Sequence, residues 1–92
     1  MRLALFLALL LAGPALAAPP PPGATACSGC HAQPARAGAA IPALHGRPAA
    51  EITAAMLAFR RGERPATVMD RIAKGFTEAE IPAISAWLAA QP

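Results

Sequence analysis

The chain has 92 residues, a net formal charge of +3 and an apolar content of 55%. This length allows one compact domain at most. The basic residues form no block interleaved with aromatic residues, so the charge gives no indication of nucleic-acid binding.

The first segment has the pattern of a secretory signal peptide. Arg2 precedes an apolar run from Leu3 to Leu11, and small residues follow at Ala15 and Ala17. The run is too short to span a bilayer, although an uncleaved membrane anchor is the alternative. We expect residues 1–17 to be a signal peptide and residues 18–92 to be a periplasmic domain without a membrane span.

The remaining chain is poor in large apolar side chains, because much of its apolar content is alanine. A domain of this size usually needs a disulfide, a metal or a cofactor to supplement its core. Its two cysteines, Cys27 and Cys30, are only three positions apart, and a disulfide between them would restrain very little chain. We therefore expect a bound group at the centre of the domain.

The first part of the domain is predicted to be irregular except around the cysteines. Residues 18–23 include four consecutive prolines and predict an extended start. Residues 23–31 are rich in small residues and predict about two helical turns that carry the cysteines. Residues 32–47 have no periodicity and contain repeated proline and glycine, so we expect this segment to wrap around the bound group.

Three helices are predicted after this segment. The first covers Pro48 to Arg61, with Gly62 suited to a left-handed stop. Its apolar face has helical spacing and consists of Ile52, Ala55, Met56 and Phe59. A short helix is predicted over residues 67–74, ended by Gly75.

The last helix is predicted to open with the capping box Thr77-Glu78-Ala79-Glu80. Pro82 lies just inside this helix and predicts a kink or a tightened first turn. No segment alternates with period two, so the predicted fold class is all-α, with three to five short helices.

Cys27-Ser28-Gly29-Cys30-His31 has the arrangement of a covalent haem-attachment motif. Each thiol would add across one haem vinyl group, and His31 would ligate the iron. The signal peptide supports this interpretation because c-type haem is attached outside the cytoplasm. We predict one haem c, bound covalently through Cys27 and Cys30.

Three other chemistries use closely spaced cysteines. A thioredoxin-like dithiol would need a βαβ setting, which the sequence does not predict. A zinc site would need further ligands, and only His45 is at hand. A structural disulfide at this spacing would restrain almost nothing.

The second axial position has three candidate ligands. Met56 lies on the apolar helix face, where packing is the usual role of methionine. His45 is interpreted as a surface or hydrogen-bonding histidine. Met69 lies far enough beyond His31 for the chain to pass around the haem edge, and it is the predicted ligand.

His/Met ligation raises the reduction potential and suits electron transfer. We therefore expect an electron carrier rather than an enzyme. The alternative is a haem-based ligand sensor or haem enzyme with an open sixth coordination site.

Two further roles are predicted around the iron. The second ring nitrogen of His31 needs a fixed acceptor, for which the Pro42 carbonyl is the best candidate, although Pro42 could simply shape the loop. Most of the basic residues are interpreted as solvated helix faces rather than a docking face for a partner or the haem propionates. These residues are Arg47, Arg60, Arg61, Arg64, Arg71 and Lys74.

The domain resembles a class I cytochrome c over essentially its whole length. The resemblance rests on the haem motif, on Ile41-Pro42-Ala43-Leu44 with Gly46, and on the segment from Phe59 to Phe76. This last segment resembles the cytochrome subunit of flavocytochrome c sulfide dehydrogenase and its free periplasmic relatives.

The resemblance implies a small cytochrome c fold wrapped around one haem. It implies that Met69 is the axial ligand, that the Pro42 carbonyl orients His31, and that Trp87 packs across the first helix. The implied redox partners are a flavoprotein that oxidises sulfide, or another periplasmic donor, and a downstream oxidase or cytochrome.

The chain departs from the family pattern at three places. Ala32 follows the haem histidine where glycine is usual, Gly46-Arg47 replaces Gly-Gln, and Pro82 interrupts the last helix. These differences remove no iron ligand, but they leave the identity of the partner open.

Overall fold

The computed structural model describes residues 18–31 and 39–92. The predicted signal peptide and the first half of the irregular segment lie outside these residues. The described chain is all-helical, with four helices and no strand, which confirms the predicted fold class. The helices are α1 (Ala24–Cys30), α2 (Ala49–Arg60), α3 (Met69–Ala73) and α4 (Glu80–Ala89).

Helix α2 matches its predicted bounds to within one residue at each end. Pro48 immediately precedes it with φ −55°, close to the value that the proline ring imposes. Gly62 follows the helix with φ 72°, which is the left-handed conformation predicted for the stop. Ile52 and Met56 form the buried face, so Met56 belongs to the core.

Helix α3 is shorter than the predicted range 67–74, because it begins two residues later, whereas its end differs by one residue. Val68 has φ −138° and ψ −24°, which is not a helical conformation, and the helix begins only at Met69. Thr67 and Val68 are β-branched, which disfavours helix because their side chains are restricted at χ1. The helix ends at Ala73, so Met69 occupies its first position.

Helix α4 has the predicted capping box. The Glu80 amide donates to Thr77 Oγ1 at 3.1 Å, and the Thr77 amide donates to Glu80 Oε1 at 3.0 Å. The Glu80 amide also lies 3.1 Å from the Thr77 carbonyl, a tightened first turn. Pro82 follows directly after Ile81, whose amide already donates to the Thr77 carbonyl at 3.3 Å, so the ring removes the next helical bond, the one to the Glu78 carbonyl.

The core of the described chain is small. α2 packs against both α3 and α4, and α1 packs against α4, whereas α1 and α3 do not pack directly against each other. None of the described helices is long and apolar enough to cross a membrane. The fully buried cluster consists of Ala24, Ile52, Met56, Ala73, Ile81, Ile84 and Leu88.

Candidate haem-binding site

Helix α1 carries the cysteines of the motif, and His31 follows at its C-terminal end. Cys27 is half-buried and packs against the core, whereas Cys30 is exposed. Residues three apart on a helix lie on the same side, so both thiols share one face. The His31 amide donates to the Cys27 carbonyl at 2.9 Å, which fixes the histidine directly after the helix.

Burial raises the pKa of the Cys27 thiol above its usual value of 9.0, against the opposing effect of a backbone hydrogen bond. Cysteines of redox dithiols have lowered pKa values, because the thiolate is the reactive form. This environment therefore does not favour a thioredoxin-like dithiol. Among the described residues, no cluster of three or more His, Cys, Asp or Glu side chains could hold a metal ion such as zinc.

His31 and Pro42 are brought together by the loop that precedes α2. His31 Nδ1 lies 2.5 Å from the Pro42 carbonyl oxygen. A carbonyl only accepts hydrogen bonds, so Nδ1 carries the proton and donates. In the neutral imidazole this tautomer places the lone pair on Nε2, which is the form that binds iron.

Met69 is half-buried at the start of α3 and packs against the core. Cys27 packs against the same core cluster from α1. α1 and α3 do not pack directly against each other, so Met69 and the motif are related through the core that both contact.

Apolar side chains beside the predicted site residues are left largely exposed. Ile41 precedes Pro42 and is 52% exposed, Val68 precedes Met69 and is 52% exposed, and Ile72 lies one turn into α3 and is 40% exposed. Covering exposed large apolar side chains with an apolar surface stabilises a protein. The site thus combines these apolar side chains with the oriented imidazole of His31, the thioether of Met69 and two thiols on one helix face. This set of residues fits a covalently bound haem.

His45 joins the motif to α4, and sequence reasoning missed this connection. Its Nε2 lies 2.7 Å from the Oγ of Ser28, a residue that stands between the two cysteines in the sequence. Its ring meets Trp87 edge-on, with centroids 6.4 Å apart and planes at 89°. His45 is therefore a hydrogen-bonding histidine, and Trp87 packs against it as well as against the core.

Five of the six basic residues are exposed, as expected for solvated positions, and Arg60 is half-buried; three arginines nevertheless make specific contacts within the chain. Arg60 Nε donates to the Phe76 carbonyl at 2.8 Å, and the Arg61 guanidinium contacts Glu78 at 3.0 and 3.1 Å. The Arg64 guanidinium lies 4.8 Å from the centre of the Phe59 ring. The only feature of the sequence that could have indicated these contacts was the position of Arg60 and Arg61 in the last turn of a helix.

Comparison with known proteins relates this site to cytochromes. The "Cytochrome subunit of sulfide dehydrogenase" of Chlorobaculum tepidum is 39% identical over 59 residues, or 64% of this chain. The match supports a relationship to c-type cytochromes. A cytochrome relative also implies haem.

The comparison is partial in two respects. The match covers 54% of the relative, so the chain spans about half the length of the curated protein that it matches. No protein-family profile matches the chain.

Proposed function

We propose that this chain is a periplasmic class I cytochrome c that carries electrons on one haem. The haem is attached through Cys27 and Cys30, with His31 and Met69 as the axial ligands. The observation that carries the proposal is the hydrogen bond from His31 to the Pro42 carbonyl. It gives the histidine of the motif the protonation and orientation that an iron ligand needs.

A haem bound here would supply reversible one-electron chemistry. The protein residues would hold it in a fixed coordination. Cys27 and Cys30 anchor it, Pro42 prevents rotation of the His31 ring, and the soft thioether of Met69 favours the ferrous state. With His31 and Met69 both bound to the iron, an external ligand would have to displace one of them, which suits electron transfer rather than substrate binding.

The proposed electron donor is a flavoprotein subunit that oxidises sulfide, and the proposed acceptor is a downstream oxidase or cytochrome. The relative from Chlorobaculum tepidum is named as a subunit of a sulfide dehydrogenase, which supports such a partner. Purification from native periplasm and membranes tests this assignment. A stable flavoprotein complex would support a fixed subunit, and a free monomer would contradict it.

Substitution of Met69 tests the ligand assignment. The ferric wild-type holoprotein should be low-spin and should show the far-red sulfur–iron charge-transfer band. Met69→Ala should lose this band because the sulfur ligand is removed. Absorption spectra of the oxidised and reduced proteins provide the measurement.

Met56→Leu is the matched control, since it removes the buried methionine at nearly constant volume and should keep the band. Loss of the band in Met56→Leu but not in Met69→Ala would make Met56 the ligand. A high-spin wild type would contradict the carrier and favour an open sixth site.

A further inference from the structure

The chain between α2 and α4 forms a loop, residues 62–76, which we term the methionine loop because it contains Met69. Two arginines at the end of α2 hold its far end. Arg60 Nε donates to the Phe76 carbonyl at 2.8 Å. Arg61 contacts Glu78 Oε1 through Nη2 at 3.0 Å and Nε at 3.1 Å. These residues, Arg60, Arg61, Phe76 and Glu78, are called the arginine latch.

The latch connects the methionine loop to the helix that carries the motif. The Phe76 ring packs against the core and occupies the space beside Gly23, immediately before α1. The same residue presents its carbonyl to Arg60. One residue therefore joins the end of α2, the end of the methionine loop and the start of α1.

The two halves of the latch differ in their surroundings. The Arg60 side chain is 34% exposed, and its hydrogen bond reaches a fixed backbone carbonyl. Arg61 and Glu78 are 47% and 51% exposed, and exposed ion pairs of this kind are weak because water screens them. A charge-assisted bond to a backbone carbonyl is stronger, so Arg60 is the main component.

We propose that Arg60, assisted by Arg61, is a positioning residue that keeps Met69 within reach of the haem iron. This inference rests on the proposed function, since it assumes that Met69 is the ligand. Methionine is a neutral ligand that external anions can replace when the loop opens. By closing the loop at its base, the latch lowers the population of the open form and with it the apparent affinity for such anions.

Cyanide binding to the ferric holoprotein measures this open population. Arg60→Ala should raise the apparent cyanide affinity roughly tenfold, equivalent to about 1.4 kcal/mol at 25 °C. Arg61→Ala should raise it by a few-fold at most, because its ion pair is exposed. The sulfur–iron band of Arg60→Ala should also disappear at lower temperature than that of the wild type.

Two controls separate positioning from general stability. Arg47→Ala removes an exposed arginine whose side chain makes no hydrogen bond or ion pair with the described residues, and it should leave cyanide affinity unchanged. Ile84→Val weakens the core from α4, outside the latch, because it removes a buried methylene. Cyanide affinity should respond to Arg60→Ala far more than to Ile84→Val.

The outcomes distinguish the latch from the ligand assignment. A wild type with the sulfur–iron band, together with equal cyanide affinities for Arg60→Ala and Arg47→Ala, would overturn the latch alone. Equal responses of Arg60→Ala and Ile84→Val would do the same, since the effect would then follow general stability. A wild type that lacks the band would overturn Met69 ligation, and the positioning role would fall with it.

Discussion

At Gly23 the backbone conformation and the packing both require glycine. Its φ of 87° lies in the left-handed region, which side chains with a Cβ rarely adopt. A Cβ at this position would also overlap the ring of Phe76. Because Gly23 directly precedes α1, this contact sets where the haem motif begins relative to the end of the methionine loop.

Gly23→Ala should therefore destabilise the holoprotein by about 2–5 kcal/mol. About 1–2 kcal/mol comes from the left-handed backbone and about 1–3 kcal/mol from the overlap with Phe76. Gly62→Ala is the matched control, because Gly62 has φ 72° but open space around it, and only the backbone cost applies. Denaturant unfolding measures both, and equal losses would show that the Phe76 ring moves aside without cost.

The hydrogen-bond partners of some residues in the site can be predicted from the sequence, and those of others cannot. The contact between His31 and Pro42 is expected because a ligand histidine needs an acceptor and a family resemblance points to that carbonyl. The contact between Ser28 and His45 joins residues 17 positions apart, and no periodicity relates them. Such pairs depend on the path of a loop, which local sequence patterns do not determine.

At the scale of helices, capping and helical spacing predict both ends of α2 and the capped start of α4. The residues at these ends act locally, and the structure has the predicted left-handed Gly62 and the predicted capping box at Thr77. The limits of α3 are predicted poorly because five residues carry little periodicity, and Thr67 and Val68 favour extended backbone. The arginine latch was missed because long basic side chains at helix ends look the same in sequence whether solvated or bonded.

The capping box of α4 should make stability depend on pH. The backbone and side-chain hydrogen bonds of Thr77 hold the pKa of Glu80 below its usual value of 4.5. Because the pKa of this carboxyl group is lower in the folded than in the unfolded state, the ionised group stabilises the fold at pH values above its unfolded-state pKa. This stabilisation is lost as the pH falls through the folded-state pKa. Glu80→Gln should thus lower stability at pH 7, and the difference from wild type should shrink below pH 4.5.

Thr77→Ala provides the comparison for this prediction. It removes the Oγ1 acceptor at a cost of about 0.5–2 kcal/mol, but the Thr77 amide that bonds Glu80 remains. Most of the acid dependence should therefore persist in Thr77→Ala. Denaturant unfolding of the holoproteins between pH 3 and 7 measures both variants, and a pH-independent effect of Glu80→Gln would contradict the assignment.

At the scale of the whole molecule, the described chain consists of two helix pairs. α1 packs on α4, α3 packs on α2, and the contact between α2 and α4 joins the pairs. His31 directly follows α1 and Met69 begins α3, and these two outer helices do not pack directly against each other. A haem attached to α1 and ligated from α3 would add a direct connection between them, so cofactor binding and folding should be coupled.

Removal of the attachment site tests this coupling. The described core contains eight buried apolar residues, of which three are alanine, and so small a core rarely supplies more than about 3–5 kcal/mol. The double variant Cys27→Ala/Cys30→Ala should lose cooperative thermal unfolding and much of its helical circular dichroism. Ser28→Ala, which alters the same helix but keeps both thiols, should retain a cooperative transition. A cooperative transition in the double variant would show that the side chains alone sustain the fold, and that the haem is added to a finished domain rather than forming its core.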